Sequence, residues 1–311
     1  KILLFIAITP LVFLAGCVQS GSSTKSAGQI ENKLPSMMGS VEIFSQDFPT
    51  YIYYNPSGGT TSESFTLEYR NSIYIDEKSP VNLKITSIAS NVGNVECGGI
   101  VGNTIQLTPP EYDYISNKLY ESVDKIANCK LNIPPNYENL GEVIVTVSYT
   151  LENLKTIVRV PLRIRYGPVG STVKNNIVAD YSSTPVIPDS VEEEIYGNYN
   201  YKVNMKIVDK QGCLYNNNRQ ERVKINRVVI NIDGRTVDVN QVSWFRCNIN
   251  PNTERYTPLD IYCNINMKEL VNSGFASEGL LSTEYKYAEL IIEYTYNCYS
   301  TQRFLAKVEY G

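Results

Sequence analysis

The sequence predicts a mainly β protein: two tandem antiparallel β-sandwich domains, the first with one helical insertion, behind an N-terminal hydrophobic segment. Three observations carry that expectation. Tyrosine is abundant, at 24 residues against one tryptophan, and Val, Ile and Thr are plentiful, a mix that suits pleated, half-buried strands. Apolar and polar residues alternate over long stretches. Two segments far apart in the chain also read as copies of one another.

Lys1 precedes an apolar run from Ile2 to Gly16, and Leu14-Ala15-Gly16-Cys17 closes it ahead of Ser/Gly-rich polar sequence. A basic start, an apolar centre and small residues at the cut are the layout of a secretory signal or anchor helix. The run falls short of the about 20 apolar residues that a spanning helix needs. Leu14 to Cys17 resembles the lipobox of prokaryotic lipoproteins. That resemblance implies cleavage before Cys17, acylation of its thiol and attachment to a membrane outside the cytoplasm. Residues 18–40, rich in Ser and Gly and poor in aromatic side chains, read as a flexible tether.

The first sandwich is expected over residues 41–167. Glu142 to Gly167 reads as a strand, a polar turn and a second strand. In the latter, Val158, Val160, Leu162, Ile164 and Tyr166 alternate with Arg159, Pro161, Arg163 and Arg165, as in a strand covering a core on one side. Glu289 to Gly311 repeats the plan, with Phe304, Ala306, Val308 and Tyr310 against Leu305, Lys307 and Glu309. Glu142/Glu289, Ile144/Ile291, Tyr149/Tyr296 and Tyr166/Tyr310 align. The sequence around Cys129 matches that around Cys263, and Cys97 can be set against Cys247. Matches in the same order across both halves argue for duplication. A helix is expected at about 110–127, where Ile115, Leu119, Val123 and Ile126 form one apolar stripe behind Pro109 and Pro110.

Residues 168–194 read as a linker, because GPVGSTVKNN, Pro185 and Pro188 break the pattern and Glu192 to Glu194 form a solvated acidic run. The second sandwich follows over 195–311. Inside it, Asp233-Gly234 between β-branched runs marks a two-residue hairpin turn.

Seven cysteines are present. With Cys17 lipidated, six remain, an even set suited to three disulfides in an oxidising compartment. Duplication makes Cys97–Cys129 the counterpart of Cys247–Cys263 and leaves Cys213 to pair with Cys298. No CxxC occurs, which argues against a zinc ribbon or a thioredoxin-type pair.

Histidine is absent, which excludes Ser-His-Asp and Cys-His catalysis and any His-ligated zinc. No spacing of Asp and Glu singles out a glycosidase pair. No Gly-rich phosphate loop or EF-hand is present, so no catalytic, cofactor-binding or metal residue is named. A net charge of -4 without a polybasic block argues against nucleic acid. Tyr51, Tyr53 and Tyr54 form one aromatic cluster and Tyr196, Tyr199 and Tyr201 another. Cross-strand packing with solvated hydroxyls is preferred for them over partner or glycan contact. Arg159, Arg163 and Arg165 read as protection against edge pairing rather than as an anion surface. Trp244, three residues before Cys247, reads as core packing and resembles the tryptophan beside the disulfide of immunoglobulin-like sandwiches.

The tandem design resembles many prokaryotic cell-surface proteins, and the Tyr- and Asn-rich strands are similar to those of archaeal surface proteins. The expected function is an exported, lipid-anchored structural or interaction protein, not an enzyme, that contacts a surface protein or glycan. One alternative is a subunit of an extracellular filament or envelope assembly, with Ile30 to Phe48 donated to a neighbour's strand edge. A second is a hydrolase or solute-binding lipoprotein.

Overall fold

The computed structural model describes residues 34–76, 79–135, 137, 140–164, 172–196, 200–216, 219–275 and 286–311. The hydrophobic segment, Cys17, most of the tether, Arg165, Tyr166 and Tyr199 lie outside the described residues.

In the first half the strands are β1 (Val41–Phe44), β2 (Tyr51–Tyr54), β3 (Thr61–Asn71), β4 (Val81–Ser90), β5 (Asn94–Glu96), β6 (Thr104–Leu107), β7 (Glu111–Asp113), β8 (Lys118–Tyr120), β9 (Ser122–Ile133) and β10 (Glu142–Ile164). Next come β11 (Val173–Asn176), β12 (Asp180–Tyr181), β13 (Val186–Tyr196), β14 (Asn200–Asp209), β15 (Tyr215–Asn216), β16 (Arg219–Gln220), β17 (Val223–Ile232) and β18 (Arg235–Asp238). The chain then runs through β19 (Phe245–Cys247), β20 (Thr253–Arg255), β21 (Leu259–Asn266), helix α1 (Met267–Asn272) and β22 (Lys286–Tyr310). The mainly β, antiparallel character read from composition and alternation is what forms.

The two duplicated segments correct the reading as hairpins. Each is one long strand, 23 residues in β10 and 25 in β22, and they pair with each other from Glu142↔Lys307 to Ile164↔Lys286. At the expected first turn, Glu152-Asn153, the chain only bulges. Asn153 takes φ 52, and the register shifts between Leu151 and Leu154. A polar pair between alternating runs suits a bulge as well as a reversal. The long ladder to the other copy decides for the bulge. The bulge also swaps parity, so Val143 to Leu151 and then Leu154 to Ile164 bury the same sheet face as Ala288 to Ala306 of β22.

This pair is the centre of a nine-stranded sheet in the order β18-β17-β22-β10-β4-β6, with β2, β12 and β20 at its margins. Outward from the middle, each half supplies the same series. Two smaller sheets, β1-β3-β9-β5 and β11-β13-β14-β21-β19, cover one face. On the first, Phe48 packs on Phe65 and Phe304 with centroids 5.1 and 5.5 Å away, and the Tyr149 hydroxyl donates to Val41 O at 2.7 Å. On the second, the Tyr294 hydroxyl donates to Val186 O at 2.8 Å, while Val186 N–H donates to the Tyr296 hydroxyl at 3.2 Å.

Because β10 and β22 share one sheet, the described part of the chain from Leu34 onward holds together as one unit, with no boundary at 168–194. That stretch supplies β11, β12 and most of β13. Its acidic residues sit in β13, where Glu194 lies 3.8 Å from Lys174 and Glu193 accepts from Asn175 and from the Tyr201 hydroxyl. The end of the expected tether is also structured. Leu34 is only 3% exposed, and Ser36 N–H donates to Tyr181 O at 2.9 Å.

No helix forms at 110–127; β7, β8 and the start of β9 occupy it. Asp113 accepts from Ile115 N–H and Ser116, and Asn117 takes φ 55, which closes a tight turn. Ile115 is 89% exposed, while β9 is held by its ladder with β3 and by the bridge at Cys129. Tertiary pairing overrides the accidental helical spacing. The helix among the described residues is α1, in the second half, capped by the Asn266 side chain on Glu269 N–H. The Asp233-Gly234 turn forms as read, with φ 50 and 74 between Ile232↔Arg235.

Candidate functional site

The face of the main sheet away from the two smaller sheets carries the side chains that the alternation leaves outside. Near its middle this face is dense in hydroxyls. Ser148, Thr150, Tyr299 and Thr301 share it on β10 and β22, and Ser87 pairs with Ser148 from β4. The Ser148 and Thr301 hydroxyls lie 3.3 Å apart, and Thr86 donates to Ser148 O at 3.0 Å. With Tyr215 and Asn216 of β15 these residues line a groove of about 480 Å³ in which no lining side chain is charged.

The hairpin β15–β16 stands between this groove and a second. Past it, Arg219, Gln220, Arg222 and Lys224 face Asn153, Tyr256 and Asn297 around about 340 Å³. Here charge is present, and part of it is paired. Arg222 lies 3.9 Å from Glu254 and stacks its guanidinium 4.6 Å from the Tyr256 ring. Farther along the face, Glu152 accepts from Lys84 at 3.3 Å, and Glu293 lies between Lys155 and Arg227 at 3.4 and 3.3 Å. Burial raises the Glu289 carboxyl above its ordinary value, and the Arg159 guanidinium pulls it back down.

That arrangement decides the arginine stripe. Arg159 is half-buried beside Glu289 and pairs in register with Asp180, and Arg163 lies 5.9 Å over the Tyr287 ring. Arg159 and Arg163, the described members of the stripe, are thus engaged within the chain rather than forming a free basic surface.

The tyrosine clusters divide by alternation. Tyr54 is fully buried and its hydroxyl donates to Pro134 O, whereas Tyr51 and Tyr53 face solvent, Tyr53 at 71% exposure. Tyr201 is buried on Glu193, and Tyr196 reaches Asn264. Trp244 is core, packed on Phe245 and Phe275.

Of the three expected bridges, Cys97–Cys129 and Cys247–Cys263 are formed, at equivalent places in the two smaller sheets. Cys213 and Cys298, the third expected pair, are buried neighbours that stand as free thiols in this structure. Among the described residues no cluster of three or more Cys, Asp or Glu could hold a metal ion. The donor segment proposed for strand addition is already used in part, since Val41–Phe44 pairs with β3.

The sequence did not mark the hydroxyl groove. Its only trace is the polar stretch Asn297 to Gln302, which reads as a turn until the opposite strand is known. No protein-family model matches the chain, and no curated protein or solved structure matches it either.

Proposed function

We propose that this is an exported cell-surface protein, held to the membrane by a lipid on Cys17, that works by interaction rather than catalysis. Its contact surface is the polar outer face of the main sheet, offered to a surface protein or a glycan. Each half is read as an immunoglobulin-like sandwich, β1-β3-β9-β5 against β4 and β10, then β13-β14-β21-β19 against β17 and β22. The observation that carries export is the pair of disulfides at matching positions, since such bridges persist in oxidising compartments. The apolar run ending at Leu14-Ala15-Gly16-Cys17 supplies the address.

The test is the intact mass of the protein extracted from membranes. Cleavage before Cys17 with an added acyl mass is expected. An unmodified Cys17 thiol with the leader attached would end the reading.

A further inference from the structure

We infer that Cys213 and Cys298 become a third disulfide in the exported protein, and that this bond fixes the hairpin separating the two grooves. The inference rests on the export reading for its oxidant, and otherwise on where the chain places these two residues.

The folded chain brings the two cysteines together even without a bond between them. Tyr299 N–H donates to Cys213 O at 2.7 Å, so the segment after β14 lies along β22 beside Cys298. The thiols are 4% and 3% exposed and touch each other. The remaining described cysteines are spent in bridges, so neither thiol has a competing partner among the described residues. The oxidant that closes the other two bridges meets these two thiols as well while the hairpin is still open.

Cys213 also stands two residues before β15. Leu214 N–H donates to Asp209 at 2.8 Å, and Glu221 N–H closes back on Leu214 O at 2.7 Å, so this position is the root of the hairpin. Tyr215 and Asn216 wall the neutral groove, and Arg219 and Gln220 wall the charged one. A bond from Cys213 to β22 therefore anchors the common wall of both.

The step is thiol–disulfide exchange with an external disulfide, carried by an oxidising protein or a small molecule. One thiolate attacks the external disulfide, forms a mixed disulfide and releases one external thiolate. The second cysteine's thiolate then displaces the other external sulfur. Two protons leave the cysteines, and two electrons reduce the external disulfide to two thiols. Contact with Cys298 and burial hold the Cys213 thiol above its ordinary value, so the docked pair supplies little thiolate. Exchange accordingly precedes docking of the hairpin, and the finished bond is out of reach of reductant until the chain opens.

The experiment uses the full chain, exported with its leader and extracted from membranes. The protein is unfolded in denaturant with excess maleimide and no reductant, then weighed and peptide-mapped. No label is expected on Cys97, Cys129, Cys213, Cys247, Cys263 or Cys298, with the Cys213 and Cys298 peptides recovered linked. Label on Cys213 and Cys298 alone overturns the inference and leaves export standing. Label on all six overturns both, and label on Cys17 reports separately on lipidation. For the anchoring role, Cys298→Ser and Cys213→Ser are each compared by hydrogen exchange. Amides 214–221 are expected to exchange at least about tenfold faster, with β10 unchanged; equal rates there would refute the anchor.

Discussion

Leu151 and Cys298 face each other in the central strand pair, on the last rung before its register shifts. The same stretch of sequence separates Leu151 from Cys298 as separates Glu142 from Glu289, so each is the other's counterpart in the repeat. An approximate two-fold axis passes through that rung. The symmetric series of strands on either side follows from it, as do the matching places of the two formed bridges. Cys298 of the third cysteine pair sits on that rung, and its counterpart Leu151 cannot form a bridge, so this pair is not repeated in the first half.

The two formed bridges differ in what they stabilise. Cys247–Cys263 spans a sequence separation of 16 and Cys97–Cys129 one of 32. On the chain-entropy account, replacing both cysteines of the shorter bridge with alanine costs about 3 kcal/mol, and the longer about 0.6 kcal/mol more. Urea unfolding of the two double variants checks the order. A larger loss at Cys247–Cys263 would place the effect in the folded state instead.

Gly39 reports on the docking of the segment before β1. A Cβ there would lie 2.4 Å from Ser183 O, whereas one at Gly141 would meet nothing within 4 Å. Gly39→Ala is expected to destabilise by about 1–3 kcal/mol, as overpacking does, and Gly141→Ala by less than about 0.5 kcal/mol. Thermal or urea unfolding of the two variants gives the comparison. Equal behaviour would mean that residues 34–40 are not packed.

The Tyr296 hydroxyl lies in a buried network. It accepts from Val186 N–H at 3.2 Å and lies 3.3 Å from the Thr156 hydroxyl, which meets Thr184 at 2.8 Å. Tyr296→Phe keeps the ring and strands a buried N–H, at a cost of about 1–3 kcal/mol. Tyr53→Phe, at an exposed site, is expected to cost nothing measurable. Unfolding midpoints of the two variants give the contrast.

Alkaline pH should weaken the fold through its tyrosines. Burial pushes the Tyr149 hydroxyl up to about 12, and it also raises Tyr201, Tyr294 and Tyr296 above the ordinary tyrosine value. Such groups stay neutral in the folded chain while their unfolded counterparts ionise near pH 10, so the unfolded state binds fewer protons above that point. Stability is then complete below about pH 10 and falls as pH rises toward the folded values, at up to about 1.4 kcal/mol per unit for each group. Urea midpoints between pH 8 and 11.5 should drop, and Tyr294→Phe should flatten the slope. A level midpoint would contradict the assignment.

Much of this architecture could be read from local pattern. Alternation marked the inward residues of β10 and β22, Asp233-Gly234 announced its turn, and the order of cysteines named both bridges that formed. What local pattern could not supply was the partner of each strand. Glu152-Asn153 looks the same whether the chain reverses or bulges, and only the ladder to β22 decides. The stripe from Ile115 to Ile126 fits a helix until β3 claims Val123 onward. The outer-face groove was illegible for the same reason: Ser148 and Thr301 are 153 residues apart and meet only through that pairing.

The pairing of β10 with β22 also sets an order of events. β22 follows every other described strand in the sequence, so a chain delivered N-terminus first holds a bare edge along β10 until β22 arrives. Contacts this distant in sequence form slowly, and an open strand edge of such length invites a stranger's strand. Prompt completion of the seam therefore protects the folding chain, and a chain stalled before β22 pairs is the species most prone to clump.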